Sequence, residues 1–139
     1  MVRVARALRT GAGHVVITAR DVEEAEETVD AAIASAEPYR VVRISATVEG
    51  QSDREVLASS IAELADEARS AGRSVVVVVA DADLASAKQL DRIRLDLEGA
   101  RCGIDLVRMV LIGCPVLSRI LELPSARGLA TRVGMRAML

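Results

Sequence analysis

Few groups that could donate, accept or attack lie close together along this chain. Asp81 and Asp83 bracket Ala82 at the end of a valine run, a place where paired carboxylates can grip a divalent cation. No third ligand stands near them, so a surface loop capping the next helix is the expected role. Cys102 and Cys114 lack C-x-x-C spacing and have only His14 as a soft partner, which points to two reduced thiols and to no metal or redox motif. Ser59, Ser60 and Ser118 lack the glycines that form a nucleophile elbow, so hydrolase chemistry has no support. His14 opens an apolar run at the edge opposite any strand-end site, where a structural histidine is expected before a catalytic base. No cofactor or metal is expected.

The elements that must position these groups follow from apolar patterning. Five runs, 14–18, 40–46, 74–80, 105–113 and 131–139, are rich in Val and Ile and bounded by turn residues, and each reads as a strand. They are nearly continuous rather than alternating, Val75 to Val79 above all, as expected of parallel strands covered on both faces. Residues 21–36 place Val22, Ala25, Val29, Ala32, Ile33 and Ala36 on one helical face before Pro38. Ser52 with Glu55, and Ser86 with Gln89, form capping boxes for two further helices, which Gly72 and Gly99 end. Pro115 suits the first turn of a short helix reaching Leu123. This alternation predicts a three-layer α/β/α fold on a five-stranded, mostly parallel sheet.

Composition narrows the function classes. The 139 residues are 51% hydrophobic and 27% charged, enough for one core without disulfides. A net charge of −2, with one Tyr and no Phe or Trp, offers neither a basic field nor stacking platforms, so nucleic acid is not an expected partner. No apolar run reaches the length of a membrane span, and the three arginines of residues 1–10 precede no signal-like segment. A cytoplasmic domain is expected, either minimal or part of a longer, membrane-anchored protein, with no direct membrane insertion of this segment. Charge is unevenly spread, with seven acids and no base over residues 21–37 and six arginines against Asp105 and Glu122 over residues 101–139. The two ends of such a dipolar chain could meet between copies.

Ligands of open parallel sheets sit at the carboxyl ends of the strands, so the turn after Thr18 is the place to look for a phosphate cradle. Such a cradle needs glycines and a free helix N-terminus. The chain instead reads Ala19-Arg20-Asp21-Val22-Glu23-Glu24-Ala25-Glu26-Glu27, without a glycine and with acids that satisfy the helix dipole from within. The only lysine, Lys88, lies far along the chain.

Residues 75–132 resemble the ExeA/GspA-type AAA ATPases of general secretion and cell-envelope assembly. The residues that carry the resemblance are Val76-Val77-Val78-Val79-Ala80-Asp81-Ala82-Asp83-Leu84 with Ser86, Leu90, Asp91 and Arg94, then Val110-Leu111-Ile112-Gly113-Cys114-Pro115-Val116-Leu117, then Ala126-Arg127-Gly128-Leu129-Ala130-Thr131-Arg132-Val133. Carried backwards, Val15-Val16-Ile17-Thr18 falls where the strand before a P-loop lies. The resemblance implies a P-loop-NTPase-like fold in the AAA-type strand order, without the lid domain that family members carry. Its chemical positions have changed: Ala19, Glu24, Ala25 and Glu26 stand at the Walker A positions, and Ala80 at the Walker B aspartate. Asp81 stands at the catalytic acid and Cys114 at the sensor glutamine, while Arg127 and Arg132 persist.

These readings predict a pseudo-ATPase that binds no nucleotide and serves protein interaction or self-association, with Glu23, Glu27, Arg127 and Arg132 as candidate contact residues. Two alternatives stand beside it. One is a receiver-like domain in flavodoxin-like strand order, using Asp21, Asp81 and Asp83 for Mg²⁺ or a phosphoryl group. The other is an ATPase completed by a partner.

Overall fold

The computed structural model describes residues 13–35, 39–45, 62–63, 66–67, 70, 74–97 and 107–139. Five strands, β1 (His14–Thr18), β2 (Tyr39–Ser45), β3 (Ser74–Ala80), β4 (Val107–Gly113) and β5 (Val133–Met138), form one sheet in the order β2-β3-β4-β1-β5. Every pairing in it is parallel, so the expectation of a mostly parallel sheet is met in its strict form. β4 lies between β1 and β3, which is the AAA-type order. The flavodoxin-like alternative required β1 beside β3 and is overturned by the register of β1 on β4, from Val15 level with Val110 to Thr18 level with Gly113.

Alternate residues of the inner strands enter two cores. Val15, Ile17, Val76, Val78, Val110 and Ile112 face α1 (Val22–Ser35), which covers them with Ala25, Val29, Ala32 and Ile33. Val16, Val75, Val77, Val79, Met109 and Leu111 face the other way. There they meet Leu90, Ile93 and Leu97 of α2 (Ala87–Leu97), Leu117 and Leu121 of α3 (Val116–Leu121), and Leu129 of α4 (Arg127–Ala130). Because side chains alternate across a strand, a run with no polar residue, such as Val75 to Val79, is sustainable only with both faces covered. All five of those valines are fully buried.

Local chemistry sets the helix starts. The capping box before α2 is reciprocal: Gln89 N–H donates to Ser86 Oγ at 3.1 Å and Ser86 N–H to Gln89 Oε1 at 2.8 Å. Pro115 is the N-cap residue of α3, which ends at Leu121 rather than Leu123 because Leu123 turns extended ahead of a 3-10 turn, Pro124–Ala126. That turn and α4 were not expected from the sequence. The helix expected from Ser52 and Glu55 is represented by helical residues at 62–63, 66–67 and 70, with Ser70 Oγ donating to the Asp66 carbonyl at 3.1 Å; its capping box lies outside the described residues. Arg43 of β2 forms an ion pair with Asp30, tying the outer strand to α1.

His14 occupies the amino-end edge of the sheet. Gly13 precedes it at φ 90°, where a Cβ would lie 2.6 Å from the Arg132 carbonyl oxygen, so glycine is required there. The imidazole is 3% exposed, and its Nδ1 accepts the Met109 N–H at 3.0 Å. Burial first, then the charges of Arg94, Arg132 and Arg108, lower its pKa from 6.5 to about 4. Between those values the unfolded chain takes up a proton that the fold refuses, so His14's contribution is complete above pH 6.5 and lost as pH falls toward 4. At about 1.4 kcal/mol per pKa unit, that loss approaches ~3 kcal/mol. His14→Asn keeps an acceptor for Met109 and does not titrate. Urea unfolding from pH 7 down to about 4 should show a shallower loss of stability in that variant than in the parent, and equal slopes would contradict the burial of a neutral imidazole.

Candidate functional site

The carboxyl ends of β1, β4 and β5 converge, with Thr18 level with Gly113 on one side and Met138 on the other. The chain leaves β1 through only three residues, Ala19, Arg20 and Asp21, before α1 begins at Val22. Ala19 is buried and its N–H donates to the Gly113 carbonyl at 3.0 Å. Asp21 Oδ1 accepts the Glu24 N–H at 3.0 Å, and the Asp21 carbonyl accepts the Ala25 N–H at 3.1 Å. This is an N-cap: a side-chain oxygen in the place that a ligand oxygen would need. Glu24, Ala25 and Glu26, at the Walker A positions of the resemblance, are already helical. Glu23, Glu24 and Glu27 are exposed.

A cleft of about 670 Å³ opens beside this turn. Ala19, Ala25, Pro115 and Met138 supply apolar wall, Asp21 and Glu24 supply carboxylates, and Arg20 is the one cation among its lining residues. Met138 is 79% exposed there. The cleft thus offers an apolar, acid-rimmed surface, the reverse of what a polyphosphate requires.

The ends of β3 and β4 are joined by side-chain chemistry. Asp83, in the 3-10 turn Ala82–Leu84, accepts the Cys114 N–H on Oδ1 at 3.2 Å, and the Cys114 thiol donates to Oδ2 at 3.3 Å. Gly113 makes this possible, since a Cβ there would stand 2.7 Å from Asp83 Oδ1 and 3.0 Å from the Asp83 nitrogen. Asp83 is therefore a strap between two strands and not the exposed loop residue expected from the sequence. Asp81 is exposed and sits at φ 50°, ψ 39°, a left-handed conformation that aspartate tolerates, with no capping bond from its side chain. Ala80 ends β3 with nothing to ligate a cation. Among the described residues no three His, Cys, Asp or Glu side chains gather as a metal-binding group.

The remaining candidates are split by the sheet. Glu23 and Glu27 lie on α1, over one core, whereas Arg127 begins α4, over the other. Arg132 follows α4 at the amino-end edge, where its Nη1 donates to the Gly128 carbonyl at 2.8 Å and its own carbonyl accepts the His14 N–H at 3.0 Å. The acids and arginines therefore do not meet within one molecule. The Asp83–Cys114 strap was missed in sequence because only the adjacency of β3 and β4 puts those positions in contact.

No protein-family model matches the chain. No curated protein matches it. Among solved structures, that of Rhizobiales Trip13 is similar, at 20% identity and a TM-score of 0.49, with 95% of this chain covered. The chain spans about half of that neighbour, 48% of its length. The strand order, rather than this neighbour, carries the assignment to an all-parallel α/β fold of P-loop-NTPase-like order. No helix among the described residues is long and apolar enough to cross a membrane.

Two substitutions test the edge as described. Asp21→Ala should cost about 1 kcal/mol through loss of the cap, and Gly113→Ala about 1–3 kcal/mol through overpacking against Asp83. Both are read by chemical denaturation, and a Gly113→Ala variant as stable as the parent would show that Asp83 does not press on β4.

Proposed function

We propose that this chain is a non-catalytic domain of AAA-type architecture, a pseudo-ATPase that works through protein contacts or assembly. One observation carries the reading: the turn between β1 and α1 has three residues and is closed by the Asp21 carboxylate on the Glu24 N–H. A phosphate cradle draws on a loop of free backbone N–H groups and on the positive end of a helix. In this chain the loop is too short to arc around phosphates, and the helix end faces five carboxylates in its first two turns, Asp21, Glu23, Glu24, Glu26 and Glu27.

The other parts of phosphoryl transfer fare no better as candidates. Metal-assisted transfer needs a carboxylate at the end of β3 and a cation to neutralise the γ-phosphate. Ala80 holds the first position, and Lys88 lies in the first turn of α2, between Ser86 and Gln89 of the capping box, rather than at the start of α1. Asp83, which a receiver-like reading would enlist, is engaged by Cys114. The biological setting implied by the resemblance, secretion or cell-envelope assembly, belongs to this proposal and is supported by the framework positions alone.

Calorimetric titration of the chain with ATP and ADP, with and without Mg²⁺, together with a melting curve in each condition, tests the reading. No heat and an unmoved melting temperature are expected, since a ligand that does not bind the native state cannot stabilise it. Micromolar binding would overturn the proposal.

A further inference from the structure

Large apolar side chains left in water gather at the carboxyl edge of the sheet. Leu84, in the 3-10 turn after β3, is 67% exposed, and Val116, which begins α3 after β4, is 50% exposed. Met138, at the end of β5, is more open still. These positions are held firmly. The turn of Leu84 is strapped to Cys114 through Asp83, and the Leu139 N–H donates to the Thr18 carbonyl at 2.8 Å, which ties the end of β5 to β1. A single exposed apolar side chain is ordinary, whereas several at the ends of neighbouring strands mark a contact surface.

The cleft at this edge runs along α1. Its lining residues Asp21, Glu24, Ala25 and Thr28 recur at three- and four-residue spacing, so they form one stripe down two turns, about 10 Å at 1.5 Å per residue. Pro115, Met138 and Leu139 supply apolar lining from the ends of β4 and β5. The charge at the start of α1 is net negative, with Asp21, Glu23, Glu24 and Glu27 exposed against Arg20 alone. Among the described residues neither Asp21 nor Glu24 takes part in an ion pair.

We propose that this cleft docks a basic amphipathic helix of another protein, with the apolar face of that helix on Pro115, Met138 and Leu139 and its lysine or arginine side chains on Asp21 and Glu24. A helix with an apolar stripe between charged flanks meets both kinds of lining at once. The sign of the partner follows from complementarity, since an acidic segment would bring like charges onto the start of α1. The same carboxylates would repel an anionic lipid surface. A small cation could satisfy Asp21 and Glu24 but would leave the apolar lining in water, and Leu84 and Val116 extend the apolar surface along the edge. The proposal rests on the reading of the domain as an interaction module, and it supplies the chemistry of that module's partner.

Fluorescence anisotropy on the full chain tests it, with a labelled synthetic peptide of about 15 residues that carries leucines at helical spacing and lysines elsewhere. Two control peptides have the same composition scrambled to remove the apolar stripe, or glutamates in place of the lysines. The first peptide should bind with a micromolar Kd that weakens as ionic strength rises from about 0.01 M to about 1 M, and each control should bind at least about tenfold more weakly. Met138→Gln should weaken binding about tenfold and Glu24→Gln about threefold, while Leu95→Gln, over the other core, should leave it unchanged. All three side chains are exposed, so the melting curves should match that of the parent. Equal binding of a control peptide, binding indifferent to Met138→Gln, or no binding at all would overturn the proposal. So would binding to anionic vesicles, or a concentration-dependent dimer, that Met138→Gln abolishes, since either gives the edge another occupant. Nucleotide heat in the calorimetric titration would defeat the non-catalytic reading whatever the peptide does, whereas a silent peptide with no nucleotide heat would defeat this proposal alone.

Discussion

The inner strands β3, β4 and β1 bury both faces, and the layout of the molecule depends on that requirement. A strand such as Val75 to Val79 has no polar side to give to water, so helices must lie on either side of it. Parallel pairing then obliges each connection to cross back along the sheet, which puts every strand's carboxyl end on one edge. From this follow an edge where the turns after β1, β3 and β4 gather and two helical layers, α1 over one core and α2 to α4 over the other.

The character of that edge is set by short contacts within the protein. Asp21 satisfies the start of α1, Ala19 is held to the Gly113 carbonyl, and Asp83 clasps Cys114. The Ala19, Glu24 and Cys114 N–H groups at this edge are each already bonded to a neighbour. An edge tied in this way has no need of a ligand to hold α1, β3 and β4 in place, whereas a glycine-rich loop would leave backbone N–H groups to be satisfied from outside. The walls left beside the turn, with Met138 and Pro115, are apolar and rimmed by the Asp21 and Glu24 carboxylates.

Much of this architecture was legible in the residues. The continuous Val and Ile runs gave a parallel sheet because no other arrangement hides both faces, and Ser86 with Gln89 marked the start of α2 through two bonds that involve only local atoms. The self-capped start of α1 was equally local, since Asp21 and Glu24 are three residues apart. What escaped was long-range. The Asp83–Cys114 strap spans 31 residues and the His14–Met109 bond 95, and neither can be read until the strand order is known. Order itself was left between two alternatives, because the patterning of a buried strand is the same whichever neighbours it has. The split of α3 and α4 by Leu123, Pro124 and Ser125 was hidden because a proline can open a helix as readily as end one.

The most direct test of the central claim, that the edge is closed to nucleotide, is an amide NMR titration of the isotopically labelled chain with ATP and Mg²⁺, read at Ala19, Arg20, Glu24, Asp83 and Cys114. The closed edge predicts that these resonances keep their positions through millimolar nucleotide, as do those of residues on the opposite edge such as His14. Saturable shifts confined to the turn after β1 and the end of β4 would contradict it, and would mean that the Asp21 cap yields to phosphate.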